Sequence, residues 1–240
     1  MELSHFISPK KLLQMKREIV EEALCQAHPI VVLEYQDGIL LLAENPSESL
    51  FKITEIYDRI AFAGTGVYND YEKLRRAGVQ WADIKGFSYS RADVRARSLA
   101  AEYSTTLGEI FSRQLIPLEV EILLAEIGNK PEDNHMFLIP FSGGLIEEKG
   151  FSVIGDLHQD RDTGKIKKNI LRDFLSSHFP PSPMSKQEAF KLAYEVLNQS
   201  SHNHPLSSRE LELVTLDRSV TQHRNFIRIP PEEIEKLMTD

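Results

Sequence analysis

The residue types that could carry chemistry occur at scattered positions, and their spacing does not match what that chemistry needs. Gly64-Thr65-Gly66 has the small residues of a phosphate-binding loop, but no Lys-Ser/Thr pair follows it, so we interpret it as the point where a strand leaves its sheet. His202 and His204 are too few for a metal site, which takes three or four converging ligands. Cys25 lies in a helical pattern without a nucleophile motif and is best interpreted as a small apolar residue. The sequence therefore predicts neither a metal site nor a cofactor.

The composition favours a cytoplasmic protein with a sizeable core. The 240 residues are 41% hydrophobic, yet no apolar run approaches the length of a membrane span. The net charge of −8 argues against nucleic acid as a partner. The single cysteine cannot form an internal disulfide, which suits a reducing compartment. Basic residues interrupt the N-terminal segment, so we expect no signal peptide there.

A β-hairpin is the clearest local prediction. The run Ile30–Tyr35 is apolar and β-branched, and Asp37-Gly38 has the residue types of a two-residue turn, in which glycine accepts positive φ. The returning run 39–43 is apolar on both faces, so we expect a central strand that is covered on both sides. Glu44 and Asn45 end it.

The segment 9–27 is predicted to be the first helix, with Ser8 as its N-cap and Pro9 in its first turn. Lys16 and other charged residues lie around most of its surface. The helix precedes the sheets and does not connect their strands. We therefore expect its apolar stripe to be unnecessary for closing the domain and to be buried by neighbouring subunits. That stripe contains Leu12 or Leu13, Met15, Ile19, Ala23 and Ala27.

Periodicity and turn residues predict the remaining elements, and each sheet of such a chain must bury two apolar faces. We therefore expect an α+β fold with two antiparallel sheets between helical layers. Ser185 and Glu188 are predicted to form a capping box. The expected elements are strands at 50–56 and 59–64 around a Tyr57-Asp58 turn, a helix at 70–85 capped by Asn69 or Asp70, a helix from Ser90 or Asp93 to about 115, strands at 118–127, 136–140 and 151–154, helices at 164–179 and 186–199, strands at 211–216 and 225–229, and a final helix.

Several stretches in combination resemble the α subunits of bacterial-type proteasome core particles. The resemblance is close in the N-terminal half and looser in the C-terminal half. It implies a four-layer αββα sandwich of the N-terminal nucleophile hydrolase type with an extra N-terminal helix. The stretches are Phe6-Ile7-Ser8-Pro9, Ala43-Glu44-Asn45-Pro46-Ser47, Ser49-Leu50, Lys52-Ile53, Tyr57-Asp58-Arg59, Leu74-Arg75-Arg76, the segment 78–100 with Ala82-Asp83 and Asp93-Val94, and Leu216-Asp217.

The resemblance also implies partners: six further copies in a seven-membered ring, catalytic β subunits stacked on it, and a ring ATPase that delivers tagged proteins. Catalytic β subunits begin their first strand with a freed threonine whose amine activates its own hydroxyl. Here the matching position is His28, and Glu44 and Lys52 lie near the family's catalytic carboxylate and lysine. We therefore expect a non-catalytic subunit. The alternative is an active hydrolase of the same fold, which would have to be shortened to a Thr, Ser or Cys.

The resemblance assigns two functional regions. Lys52 would pair with the C-terminal carboxylate of an activator tail in a pocket between subunits, and Gly66 and Val67 would form the pocket wall. The domain limits would be a flexible gate segment at 1–8, a helix at 9–27 and one αββα domain at 28–240. Seven copies of the gate would meet at the ring axis, each contributing Met1, Glu2, Leu3, Ser4, His5, Phe6 and Ile7. The loop with His202 and His204 has no assigned role.

Overall fold

The computed structural model describes residues 8–47, 49–160, 163–200, 205–220 and 224–239. Within them no helix combines the length and the apolar character that a membrane crossing requires. The helices are α1 Pro9–Leu24, α2 Tyr68–Ser88, α3 Ala96–Arg113, α4 Ile170–His178, α5 Lys186–Ser200 and α6 Pro231–Thr239. The strands are β1 Ile30–Tyr35, β2 Gly38–Glu44, β3 Ile53–Tyr57, β4 Ile60–Gly66, β5 Val120–Glu126, β6 His135–Pro140, β7 Ile146–Glu148, β8 Phe151–Ile154, β9 Leu157–Gln159, β10 Ile166–Lys168, β11 Leu211–Asp217 and β12 Phe226–Ile229.

Two five-stranded antiparallel sheets form the centre of the molecule. The first has the order β12-β11-β2-β1-β8 and the second β3-β4-β5-β6-β7, while β9 and β10 form a separate pair. Alternate residues of the strands face opposite layers, as the period of two requires. In β1, Ile30 and Val32 point between the sheets, whereas Val31 and Leu33 pack towards α4, α5 and α6. Helices α2 and α3 cover the outer face of the second sheet. The predicted αββα sandwich is confirmed.

The predictions that depend on a few adjacent residues were accurate. β1 has its predicted limits, and β2 is the middle strand of its sheet and buried along its length. The Ser8 hydroxyl accepts a hydrogen bond from the backbone N–H of Lys11, as expected of an N-cap. The capping box also forms, since Ser185 and Glu188 each accept from the other's backbone N–H.

The first hairpin turn differs from its prediction. Gln36 and Asp37 form the turn, and Gly38 is already in β2, paired with Tyr35 on one side and Asp217 on the other. Gly38 is not among the glycines with positive φ. A Cβ atom at Gly38 would lie 1.9 Å from the carbonyl oxygen of Leu216. Glycine is therefore needed here because β11 approaches closely, and not because of the turn.

The expected caps and the 164–179 helix also need correction. Helix α2 already begins at Tyr68 after Val67, so Asn69 and Asp70 lie inside it. Helix α1 ends at Leu24, not at residue 27. The segment 164–179 is divided: β10 precedes α4, and Asn169 between them has the left-handed φ of 63°.

Candidate functional site

The start of β1 brings together side chains from four neighbouring segments. The Lys52 Nζ donates to the carbonyl oxygens of Glu44 at 2.9 Å and of His28 at 3.3 Å. The Thr65 hydroxyl, at the end of β4, donates to the same His28 carbonyl at 2.9 Å. The His28 Nδ1 lies 2.9 Å from the Glu44 carboxylate. The resemblance placed His28 at the position of the family's nucleophile, and Glu44 and Lys52 near the catalytic carboxylate and lysine. The structure joins all three residues in one hydrogen-bonded cluster.

This cluster lacks the parts of an N-terminal nucleophile. His28 is internal to the chain, so its nitrogen is an amide and not the free amine that such catalysis uses as a base. Thr65 contributes a hydroxyl to the cluster, but the side chain is fully buried and its only proton is donated to the His28 carbonyl. The arrangement is suited to holding the backbone at the start of β1, not to attacking a peptide.

Main-chain carbonyl oxygens bond the ammonium group of Lys52, so this group is not simply solvated. Burial lowers the pKa of Lys52 from its ordinary value of 10.5 to about 8, and the nearby carboxylates of Glu44 and Glu212 oppose that decrease. An ammonium has three N–H donors. Among the described residues, two carbonyl oxygens accept hydrogen bonds from this ammonium, so its third N–H remains for an incoming acceptor. A carboxylate is the acceptor that would form the strongest bond with it.

Gly66 and Val67 form the turn that follows Thr65. Gly66 has a φ of 105°, and a Cβ atom there would lie 2.1 Å from the carbonyl oxygen of Glu119. Only glycine fits such a backbone without strain. The side chain of Val67 is 40% exposed, and its backbone N–H donates to Glu119 at 2.9 Å. The structure thus places both predicted wall residues next to the Lys52 cluster.

Helix α1 covers this end of the sandwich. Val20 and Leu24 are buried against Phe111, Phe141 and the partly buried Leu157. Val20 and Leu24 therefore help to close this end of the sandwich, although neither belongs to the predicted apolar stripe. The buried face is also displaced from the predicted stripe. The exposed members of the predicted stripe include Leu13, Met15 and Ile19, which are 40%, 41% and 52% accessible.

Lys16 has the clearest structural role that the sequence did not reveal. The predicted helix placed Lys16 among the charged residues outside the apolar stripe, but it is only 3% exposed. Its Nζ donates to the carbonyl oxygens of Phe111 at 3.0 Å, Ser112 at 3.5 Å and Gln114. These carbonyls lie at the C-terminal end of α3, where the last four have no partner within the helix and a cation is favoured. Lys16 thus fastens α1 to α3.

A cavity adjoins the inner side of α1. A cavity of about 420 Å³ lies between α1 and the sheets. Glu121 projects into it, and its Oε2 accepts from the backbone N–H of Gly155 at 2.8 Å. Burial raises the pKa of Glu121 to about 6. Asp156 caps α4 by accepting from Leu171 and Arg172 at 3.1 and 2.9 Å, which explains its position without chemistry.

Two predictions lie outside the described residues. The gate segment Met1–Ile7 is one, and the loop with His202 and His204 is the other. The gate prediction therefore depends on the resemblance and on the Ser8 cap that follows the segment.

Comparisons with known proteins indicate one family. The family model described as "Proteasome subunit" matches residues 26–216. Three proteins named "Proteasome subunit alpha" match almost the whole chain. That of Paenarthrobacter aurescens (strain TC1) is 36% identical over 98% of this chain and 97% of its own length. That of Streptomyces coelicolor is 37% identical over 97% and 89%. That of Thermomonospora curvata is 36% identical over 100% and 99%.

Proposed function

Because this chain belongs to the proteasome subunit family, we propose that it is the non-catalytic α subunit of a bacterial proteasome core particle. In this role it forms a heptameric outer ring, stacks on rings of catalytic β subunits and acts in cytoplasmic protein degradation. The observation that supports this most directly is the start of β1, where an internal His28 occupies the position of the nucleophile and its carbonyl is bonded by Lys52 and Thr65. No cofactor is needed for this function.

The alternative, an active hydrolase of the same fold, has less support. It would require a cleavage that frees a nucleophile at the start of β1, and the residues there are His28 and Pro29. The mass of the purified chain separates the two functions, because the hydrolase must be shortened to a Thr, Ser or Cys and the α subunit need not be.

Docking of a ring ATPase is the second part of the proposal. The Lys52 ammonium keeps one donor for the terminal carboxylate of an ATPase tail, and Gly66 lets that tail approach the backbone closely. Exposed Val67 would contact the apolar part of the tail. Proteins carrying a degradation tag would then pass from the ATPase into the ring through a gate formed by Met1–Ile7.

The test uses particles assembled from this chain and the β subunit of the same organism. We expect stacked rings by negative-stain microscopy, and peptide hydrolysis only when β subunits are present. Hydrolysis by the isolated chain, blocked by a threonine-protease inhibitor, would contradict the non-catalytic role. Lys52→Ala should leave the rings intact and weaken ATPase docking by about 1–3 kcal/mol per tail, with losses multiplying over several tails. Lys191→Ala, which removes an exposed lysine of α5, is the matched control. ATPase-dependent degradation that is equal in both variants would refute the role of Lys52.

A further inference from the structure

Glu212 is an acidic residue inside a strand where apolar residues are expected. It lies in β11 between buried Leu211 and Leu213 and is only 6% exposed. Burying a carboxylate is costly unless its oxygens are hydrogen-bonded and its charge is paired. The hydrogen-bond donors to the Glu212 carboxylate should therefore show which part of the structure this residue stabilises.

The Glu212 carboxylate accepts four hydrogen bonds, two of them from the backbone of Lys52 and of the residue that follows it. Its Oε2 accepts from the Lys52 backbone N–H at 2.9 Å and from the Asn45 side chain at 2.7 Å. Its Oε1 accepts from the Ile53 backbone N–H at 3.0 Å and from Arg228 at 2.5 Å. Four bonds are about as many as an ionised carboxylate accepts.

These contacts supply hydrogen-bond partners that the second sheet does not provide for the start of β3. β3 is the edge strand of the second sheet, so the backbone groups on its outer side have no neighbouring strand. Glu212 belongs to the first sheet and bonds two of the N–H groups where β3 begins. Arg228 of β12 completes the contact by donating to the Ile53 carbonyl at 2.6 Å. The pair thus fixes the edge of one sheet to a central strand of the other.

We infer that Glu212 is a positioning residue for activator docking: it fixes the backbone from which Lys52 extends and keeps a negative charge beside the Lys52 ammonium. The inference depends on the proposed docking role of Lys52. It assigns to Glu212 two separable effects, one on the position of the ammonium and one on its protonation.

The charged groups around Lys52 make the second effect measurable. Glu44 on β2 and Glu212 on β11 both raise the pKa of Lys52 against the effect of burial, His28 is bonded to Glu44, and Arg228 is paired with Glu212. Removing the charge of Glu212 leaves Glu44 alone to oppose burial. The ammonium should then lose its proton at a lower pH, and docking should fail at a lower pH as well.

The experiment measures how the C-terminal peptide of the ring ATPase binds to assembled particles between pH 6.5 and 9. The peptide is used as the free acid, with its C-terminal amide as a probe of the carboxylate. Glu212→Gln should weaken binding about tenfold, the equivalent of one charge-assisted hydrogen bond, and should move the pH midpoint of binding downwards. Glu212→Asp keeps the charge but withdraws the carboxylate by about 1.5 Å. It should weaken binding while leaving the midpoint near that of the wild type, and it also serves if the Gln variant does not assemble.

The controls separate failure of this inference from failure of the docking proposal. Glu232→Gln removes an exposed carboxylate of α6 and should change neither quantity. If Lys52→Ala abolishes the preference for the free acid but both Glu212 variants bind as the wild type does, the inference is wrong and the docking role survives. If Lys52→Ala binds normally, the docking role itself fails, and with it the inference. A midpoint that Glu212→Gln leaves in place also overturns the assigned effect on protonation.

Discussion

Replacing Lys16 with methionine tests whether one buried lysine holds α1 on the sandwich. Methionine keeps most of the aliphatic stem but removes the ammonium that donates to Phe111, Ser112 and Gln114. The carbonyls left behind belong to the end of α3, and that of Phe111 lies in a buried contact. The variant therefore loses charge-assisted bonds and leaves acceptors without a partner at the negative end of a helix.

The magnitude follows from these contacts. A hydrogen bond to a charged group contributes about 1.5–3 kcal/mol net, and such contributions are not additive. The helix C-terminus adds roughly 0.3–1 kcal/mol. The cost of burying the ammonium offsets part of this, so we expect a loss of about 2–4 kcal/mol in the free energy of unfolding. For a chain of 240 residues, that corresponds to a decrease in Tm of very roughly 4–16 °C.

Two measurements are needed, because local opening of a helix and global unfolding are separate events. Thermal unfolding reports the global effect, and hydrogen exchange of the amides in α1 and at the end of α3 reports local release. Lys11→Met is the control, since Lys11 lies on the same helix with an exposed side chain. If Lys16→Met matched the control both in Tm and in the protection of α1, Lys16 would not fasten the helix.

Two further predictions concern a buried acid and the N-terminal segment. Because the pKa of Glu121 is raised from 4.5 to about 6, the folded protein holds a proton that the unfolded chain loses between these values. Its contribution to stability is complete below pH 4.5 and is lost as the pH rises through 6. Glu121→Gln should therefore stabilise the isolated chain by about 2 kcal/mol at pH 7.5 and not at pH 4, as measured by urea unfolding; an equal effect at both pH values would contradict this. Removing residues 1–7 from assembled particles should speed the degradation of unfolded proteins but not of tripeptides, and unchanged rates for both would show that the segment is not a gate.

The sequence predicts the elements whose signal lies within a few residues. Ser8 and Ser185 begin helices because a hydroxyl that precedes a helix bonds an N–H three residues later. The apolar run Ile30–Tyr35 has a strand's composition and length. The three-residue strands β7, β9 and β10 were missed, because segments this short show no periodicity.

The candidate site was predictable only in part. Its residue types followed from the resemblance, but its contacts join positions far apart in the sequence. Lys16 bonds a carbonyl 95 residues away, and Glu212 bonds the backbone of Lys52 at a separation of 160. A charged residue within an apolar strand, as at Glu212, is the one signal that could have indicated a buried network. No sequence signal indicated that Lys16 is buried, because a lysine on an amphipathic helix is usually solvated.

Lys16 and Lys52 differ in how far their ammonium groups are satisfied, and this difference underlies the separate roles proposed for them. Within the part of the chain that the structure describes, both ammonium groups are bonded by carbonyl oxygens and neither has a carboxylate at bonding distance. Lys16 places its donors on three carbonyls of one helix end, so it has none left for an external ligand. Lys52 uses two, is lowered in pKa to about 8, and lies beside a glycine that admits another backbone. An ammonium that is oriented, only partly satisfied and deprived of water gains more from an incoming carboxylate than a solvated lysine would. This difference is why we propose docking for Lys52 and a role in the stability of the fold for Lys16.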